Sequence, residues 1–226
     1  MRRILIASSK GGCGKTTVAT NLAVHFARSG KRTVVLDGDR QMSSLEWAHE
    51  RNAKGMLTVV PAAIDAGVLW SLKIPAATEV MIFDAPAGIH GPQLGSLLRR
   101  CDTLIVPVLP SRIDWRATSA FFEEVRRLPE MRGHDLRIGV LANRVRERTV
   151  AARELRENLA QIGLPCIGAI RDTQAYVLAS ALGKSIFDFD TPSVREHHAD
   201  WESVLAWLCG SRAPAQAVAQ SSAVPC

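Results

Sequence analysis

The residues best suited to chemistry lie in one glycine-rich segment near the start of the chain. Residues 8–17 read SSKGGCGKTT and follow the apolar run 4–7. A strand, a glycine-rich turn and a helix in this order present backbone N–H groups to phosphate oxygens. Lys15 is placed to reach the β- and γ-phosphates of a nucleotide, and the Thr16 hydroxyl to ligate Mg²⁺. The segment predicts a phosphate-binding loop.

The expected phosphate cradle combines the glycines of this loop with the first turn of the helix that follows. Glycine lets successive N–H groups point inward without interference from a Cβ atom, and the helix adds the positive end of its dipole. The predicted nucleotide-binding residues of this segment are Gly11, Gly12, Cys13, Gly14, Lys15, Thr16 and Thr17.

Carboxylates follow two further apolar runs. Asp37 and Asp39 come directly after residues 33–36, and Asp84 ends the run 79–84. The carboxyl ends of parallel strands share the ligand edge of a sheet, so we expect these side chains near the loop. Asp84 is then expected to hold Mg²⁺ through water, opposite Thr16. The alternative for Asp37 and Asp39 is a pair of carboxylates on a solvated turn.

The rest of the chain alternates short apolar runs with segments of helical periodicity. This alternation, with tight connections, predicts right-handed crossovers and a mostly parallel sheet flanked by helices on both faces. The expected strands are 4–7, 33–36, 57–60, 79–84, 103–108, 137–142 and 165–170. The expected helices are 17–28, 64–72, 115–128 and 150–162, and others that begin near 43, 171 and 191.

Bulk properties narrow the class of protein. The chain has 226 residues with 47% hydrophobic residues, and a formal charge of +6 favours acidic partners. Its five cysteines contain no CxxC pair, which together with the nucleotide site favours a reducing cytoplasm. No apolar run approaches the roughly 20 residues needed to cross a bilayer. We expect one domain over residues 1–210 and a disordered tail over 211–226, where Ala, Ser, Pro and Gln dominate.

Three segments together resemble one known family. Ser9 replaces the first glycine of the usual phosphate loop and Lys10 follows it, which gives KGGCGKTT. Residues 37–41 read DGDRQ and residues 84–88 read DAPAG. These motifs resemble the deviant Walker A loop, the D-x-D-x-Q segment and the D-x-P-x-G switch loop of the ParA/MinD ATPases, in particular the small single-domain ParA-like members. The resemblance implies a three-layer P-loop NTPase fold.

The resemblance also implies roles for single residues. Lys10 would reach across a dimer interface to the partner's nucleotide, and Asp39 would position or polarise the attacking water. Asp37 would help to organise Mg²⁺ and the loop. Asn143 would hydrogen-bond the adenine, although an asparagine that caps a turn is an alternative. Arg171 begins a segment similar to the one that wraps the base.

The function implied is hydrolysis of ATP to ADP and phosphate by a homodimer that forms around ATP, weak without a partner. The ATP dimer would bind nonspecific duplex DNA and would be nucleoid-associated in the cytoplasm. A ParB-like or other partner protein would trigger hydrolysis, and the switch would position a plasmid, chromosome or protein cargo. A MinD-like membrane switch and a metal-cluster or amide-ligase enzyme remain alternatives. Residues 213–226, which contain no Lys, Arg or bulky apolar anchor, argue against the membrane.

Basic residues in the C-terminal half are the candidates for DNA contact, since backbone phosphates require only well-placed Lys and Arg. They are Arg144, Arg146, Arg148, Arg153, Arg156 and Lys184. Acidic residues are interleaved among them, so an ordinary solvated helix face is the alternative.

Overall fold

A computed structural model describes residues 1–56, 58–63 and 74–210, which form a three-layer α/β structure. Its strands are β1 (Arg2–Ile6), β2 (Thr33–Asp37), β3 (Val60–Ala63), β4 (Val80–Asp84), β5 (Thr103–Val108), β6 (Arg137–Val145) and β7 (Cys166–Arg171). They form one parallel sheet in the order β3-β2-β4-β1-β5-β6-β7. The predicted fold class is confirmed.

Helices cover both faces of the sheet. They are α1 (Lys15–Arg28), α2 (Ser43–Ala53), α3 (Gly91–Leu98), α4 (Arg112–Arg127), α5 (Val150–Gln161), α6 (Ala175–Ala181) and α7 (Pro192–Cys209). Side chains alternate along β1, so Leu5 packs with α3, α4 and α5, whereas Ile4 and Ile6 pack with α1, α2, α6 and α7. Both faces of β1 are therefore buried, which explains its uninterrupted apolar sequence.

The register of the central strands brings the predicted site together. Ile6 pairs with Asp84, and Asp37 also pairs with Asp84 across the sheet. The loop after β1 and the acidic ends of β2 and β4 therefore meet at one edge. This is the edge where parallel α/β sheets bind ligands.

Several element boundaries differ from the prediction. The strand expected over 57–60 is β3, which begins at Val60 and contains Pro61. β3 pairs only with β2 at the sheet edge, where a proline is tolerated. α4 begins at Arg112, three residues early, because the Ser111 hydroxyl accepts from the N–H of Asp114 and caps the helix. α3 was missed; its short sequence GPQLGSLL shows little polar periodicity.

The helix predicted over 64–72 lies entirely outside the described residues, and so does the predicted tail, 211–226. The domain boundary at residue 210 therefore stays a prediction.

β6 runs further than the sequence indicated and carries an irregularity near its end. It extends to Val145, beyond the predicted end at residue 142. Ala142 pairs with Ala169 and Val145 pairs with Arg171. Two residues of β6 therefore lie between these pairs where β7 has one. The extra residue is a β-bulge, a feature that changes where side chains point.

Candidate active site

The phosphate loop joins β1 to α1 and borders a cavity of about 490 Å³. Gly12 and Gly14 have φ values of 77° and 90°, a backbone conformation that favours glycine. The cavity is lined by Gly11, Gly12, Gly14, Lys15, Thr16, Thr17, Asp39, Gln41, Ser43, Ala87 and Arg144. Most residues of the predicted phosphate cradle thus line the same cavity as Asp39.

The side chain of Asn143 binds the backbone of the phosphate loop. Its Nδ2 donates to the carbonyl of Cys13 at 2.7 Å, and its side chain is buried. A Cβ added to Gly14 would lie 2.2 Å from the same Nδ2, so a larger residue at Gly14 would displace Asn143. No local sequence pattern indicates this contact, because 130 positions separate its partners. The predicted contact of Asn143 with adenine stays a prediction.

The metal end of the site is formed by Thr16 and Asp84. The Thr16 hydroxyl donates to Asp84 Oδ2 at 2.7 Å. Asp84 is 1% exposed, and its Oδ1 has no hydrogen-bond partner among the described residues; the same holds for the buried hydroxyl of Ser44. Burial raises the pKa of Asp84 to about 7, and the neighbouring Asp37 adds to the rise. Unsatisfied oxygens beside a threonine hydroxyl fit a hydrated Mg²⁺.

Asp37 is engaged with the backbone. Its carboxylate accepts from the N–H groups of Asp39, Ser44 and Leu45 at 2.9, 2.8 and 2.9 Å. Two of these groups belong to the first turn of α2, so Asp37 stabilises the start of that helix. The sequence did not indicate this role. A contribution of Asp37 to Mg²⁺ stays a prediction.

Asp39 links two loops at the edge of the cavity. Its Oδ1 accepts from the N–H of Gln41 at 3.0 Å, and its Oδ2 accepts from the N–H of Ala87 at 3.3 Å. Ala87 lies in the loop after β4, the segment that resembles the D-x-P-x-G switch loop. A change in that loop would therefore be transmitted directly to the Asp39 carboxylate.

The two lysines of the loop are placed differently. Lys15 lines the cavity, is 7% exposed, and donates from Nζ to the carbonyl of Lys10 at 3.2 Å. The side chain of Lys10 instead pairs with Asp114 of α4, with Nζ 2.8 Å from Oδ1. Lys10 is absent from the cavity lining, so its amine does not face the phosphate cavity of its own chain.

A second cavity of about 520 Å³ adjoins the first. Its lining residues are Thr17, Asn143, Arg144, Arg171, Asp172, Thr173, Gln174, Tyr176, Val177, Ser180 and Ala181. It thus includes both predicted base-contact residues. The Arg171 guanidinium is held by Asp200 of α7 at 2.8 Å, and burial raises the pKa of the Tyr176 phenol well above its usual range.

The six residues predicted to contact DNA do not form one surface. Arg153 and Arg156 lie on α5, which packs in the layer of α3 and α4. Lys184 lies in the opposite layer and stacks over the Phe189 ring at 5.0 Å. Arg146 pairs with Asp172 at 2.7 Å, whereas Arg144 borders both cavities.

A glycine-rich loop between a buried strand and a helix, with Lys15, Thr16 and the strand-end Asp84, defines a P-loop nucleotide-binding domain. Residues 4–186 match the CobQ/CobB/MinD/ParA nucleotide binding domain, and the chain belongs to this family. This membership confirms the predicted family and the predicted cofactors, ATP and Mg²⁺.

Three similar proteins illustrate the relationship. The chain is 30% identical to the maintenance of carboxysome distribution protein A of Gloeobacter kilaueensis over 92% of this chain and 94% of that protein. The MinD cell division protein of Aquifex aeolicus has a similar fold, with a TM-score of 0.69 and 20% identity over 96% of this chain and all of that one. A McdA variant of Cyanothece in complex with ATP gives a TM-score of 0.68 at 18% identity over 90% of this chain and 96% of that one.

Two features are absent from the described residues. Within them, no helix is long and apolar enough to cross a membrane. Nor do these residues contain a group of three or more His, Cys, Asp or Glu side chains that could hold a metal ion.

Proposed function

We propose that this chain is an ATPase switch that dimerises around ATP, binds nonspecific duplex DNA in that state, and positions a cargo. The observation that supports this most directly is the position of Lys10. Its amine is paired with Asp114 and lies outside its own phosphate cavity, at 39% side-chain exposure. A cation at the edge of the site that does not serve its own phosphates is suited to those of a second copy.

The chemistry of the proposed reaction is transfer of the γ-phosphoryl group to water. The water oxygen bonds to the γ-phosphorus while the bond to the bridging oxygen of ADP breaks, which yields ADP and phosphate. Lys15 and the N–H groups of the loop hold the phosphates, and Asp39 orients the water. Mg²⁺, held by Thr16 and Asp84, would neutralise charge on the phosphates. Lys10 from the partner would complete the neutralisation.

This arrangement would make ATP a dimerising ligand. ATP would bind the paired state better than the single chain, because only the pair supplies both lysines to one triphosphate. Loss of the γ-phosphate would remove the bridge and separate the pair. A partner protein that stabilises the phosphate loop and the loop after β4 around ATP would accelerate hydrolysis. It would thereby set how long the dimer stays on DNA.

The name of one relative indicates a class of cargo. The Gloeobacter relative is named for maintenance of carboxysome distribution, and it matches the present chain over almost its full length. A protein assembly is therefore our preferred cargo, ahead of a plasmid or a chromosome region. In this proposal the switch is cytoplasmic and associated with the nucleoid while ATP is bound.

The proposal is tested with a Lys10→Ala variant. At a protein concentration too low for wild-type dimerisation, we expect it to bind ATP with an affinity within about 3-fold of wild type, because Lys10 does not face its own cavity. It should not dimerise with ATP in light scattering, and its phosphate release should fall to background. Lys31→Ala, which removes an exposed lysine paired with Glu79, is the matched control. Normal dimerisation and turnover by Lys10→Ala would contradict the proposal.

A further inference from the structure

Arg144 occupies a conformation that an arginine rarely adopts. Its φ is 52°, in the left-handed region, and within the described residues only Met42 shares this property among non-glycine residues. A left-handed backbone at a residue other than glycine is strained, and such strain clusters at functional sites. The surrounding structure must therefore hold Arg144 in place.

Asn143 and the β-bulge hold it. The N–H of Arg144 donates to Asn143 Oδ1 at 3.0 Å, while Asn143 Nδ2 donates to the carbonyl of Cys13. The bulge lies between Ala142 and Val145 of β6, which are both buried, and leaves Arg144 exposed between them. One asparagine thus fixes the backbone of Arg144 against the phosphate loop.

The position of Arg144 between the two cavities indicates its ligand. Arg144 and Thr17 line both the cavity of the phosphate loop and the cavity that contains Arg171. Neighbouring arginines are committed, Arg146 to Asp172 and Arg171 to Asp200, whereas no acceptor among the described residues bonds the Arg144 guanidinium. A nucleotide that spans both cavities would place its ribose and α-phosphate at their junction.

We propose that Arg144 binds the α-phosphate of the nucleotide, and that the bulge in β6 exists to aim its guanidinium there. Arginine suits this role because its planar fork bonds phosphate oxygens in pairs. The inference rests on the nucleotide site of the proposed function and moves Arg144 out of the predicted DNA-binding set. It does not depend on dimerisation or on DNA.

The test compares two substitutions that separate the guanidinium from the backbone. Arg144→Gly removes the side chain and keeps the left-handed conformation, whereas Arg144→Ala removes the side chain and strains the backbone. Binding of Mg-ADP and of Mg-AMPPNP is measured by calorimetry. We expect Arg144→Gly to bind both nucleotides about 10-fold more weakly, by the same factor, since both carry the α-phosphate. Arg127→Ala, an exposed arginine at the far end of α4, is the control.

Other results would overturn either the role of Arg144 or the proposed function. Wild-type affinity of Arg144→Gly for both nucleotides, with or without weak binding by Arg144→Ala, would overturn the inference. A loss confined to AMPPNP would overturn it too, because the guanidinium would then serve the γ-phosphate. Arg144→Asn, which also tolerates this backbone, replaces the glycine variant if that variant does not fold. Failure of the wild type to bind Mg-ADP would instead refute the proposed function.

Discussion

At the scale of single residues, the phosphate loop contains contacts that a nucleotide would have to replace. Lys15 donates to the carbonyl of Lys10, and the amine of Lys10 pairs with Asp114. Both amines are thus satisfied by the protein itself. A triphosphate would compete for Lys15 within the chain, and for Lys10 across a dimer.

Asp114→Asn is predicted to favour dimerisation. The substitution removes the carboxylate that competes for Lys10 while it preserves the size of the side chain. A partly exposed ion pair contributes up to about 1 kcal/mol and each dimer contains two of them, so the ATP-dependent dimer should form at a protein concentration up to about 30-fold lower. Light scattering over a dilution series measures this shift. A higher concentration requirement would show that Asp114 supports the dimer directly.

Asp84→Asn is predicted to change the pH dependence of stability in the absence of nucleotide and metal. Because the pKa of Asp84 is raised from 3.8 to about 7, its contribution to stability is full below about pH 4, falls as the pH rises, and is lost above about pH 7. An asparagine is neutral throughout. The variant should match wild type near pH 4 and exceed it at pH 8 by on the order of 4 kcal/mol.

Urea unfolding at a series of pH values measures this difference. Asp190→Asn, which replaces a carboxylate that is 87% exposed, is the control for removal of a surface charge. A constant difference for Asp84→Asn would contradict the buried, protonated carboxyl group.

At the scale of elements, α2 connects the nucleotide edge to the turn after α6. Its first turn is capped by Asp37, and further along it Arg51 is fully buried. The Arg51 guanidinium donates to both oxygens of Asp188 at 2.6 and 3.0 Å, and Trp47 Nε1 donates to the carbonyl of Lys184 at 3.1 Å. The start of α2 is therefore bound to the nearby end of β2, whereas Trp47 and Arg51 bind it to a segment 137 positions away.

Arg51→Met is predicted to destabilise the fold by about 3–5 kcal/mol, because it leaves the Asp188 carboxylate without its main partner. Asp188→Asn added to it should recover part of the loss, since the uncompensated charge is then removed. Urea unfolding of the two single variants and the double variant gives the coupling between them. Additive effects would show that the pair is not the main source of the stability of this contact.

At the scale of the whole molecule, the two helical layers decide which basic residues can act together. Arg153 and Arg156 lie on α5 in one layer, and Lys184 lies in the other. A duplex bound along α5 would leave Lys184 distant. Local sequence spacing could not show this separation, because it depends on the side of the sheet to which each crossover returns.

Reversal of charge on α5 is predicted to weaken DNA binding selectively. Arg153→Glu combined with Arg156→Glu should lower ATP-dependent retention on random duplex DNA by at least about 10-fold. The number of counterions released on binding, obtained from the salt dependence, should fall by about two. Lys184→Glu should have little effect and is the matched control. Loss of retention with Lys184→Glu alone would place the DNA on the opposite layer.

The sequence by itself determined the features that depend on neighbours along the chain. The order of strand, glycine-rich loop and helix predicted the phosphate cradle with Lys15 and Thr16, and an apolar run ending in Asp84 predicted the acidic strand end. Parallel crossovers follow from short alternating elements, so the fold class was also accessible. β3 and α3 were misjudged or missed because their sequences have weak periodicity.

Only the tertiary structure decided what lies against this loop. Asp114 faces Lys10, Asn143 supports Gly14, and Arg144 stands between two cavities. The first two placements join residues more than 100 positions apart and depend on which strands are neighbours in the sheet, whereas the third depends on the bulge in β6. Strand order and bulges are set by packing over the whole domain, which local sequence patterns do not encode.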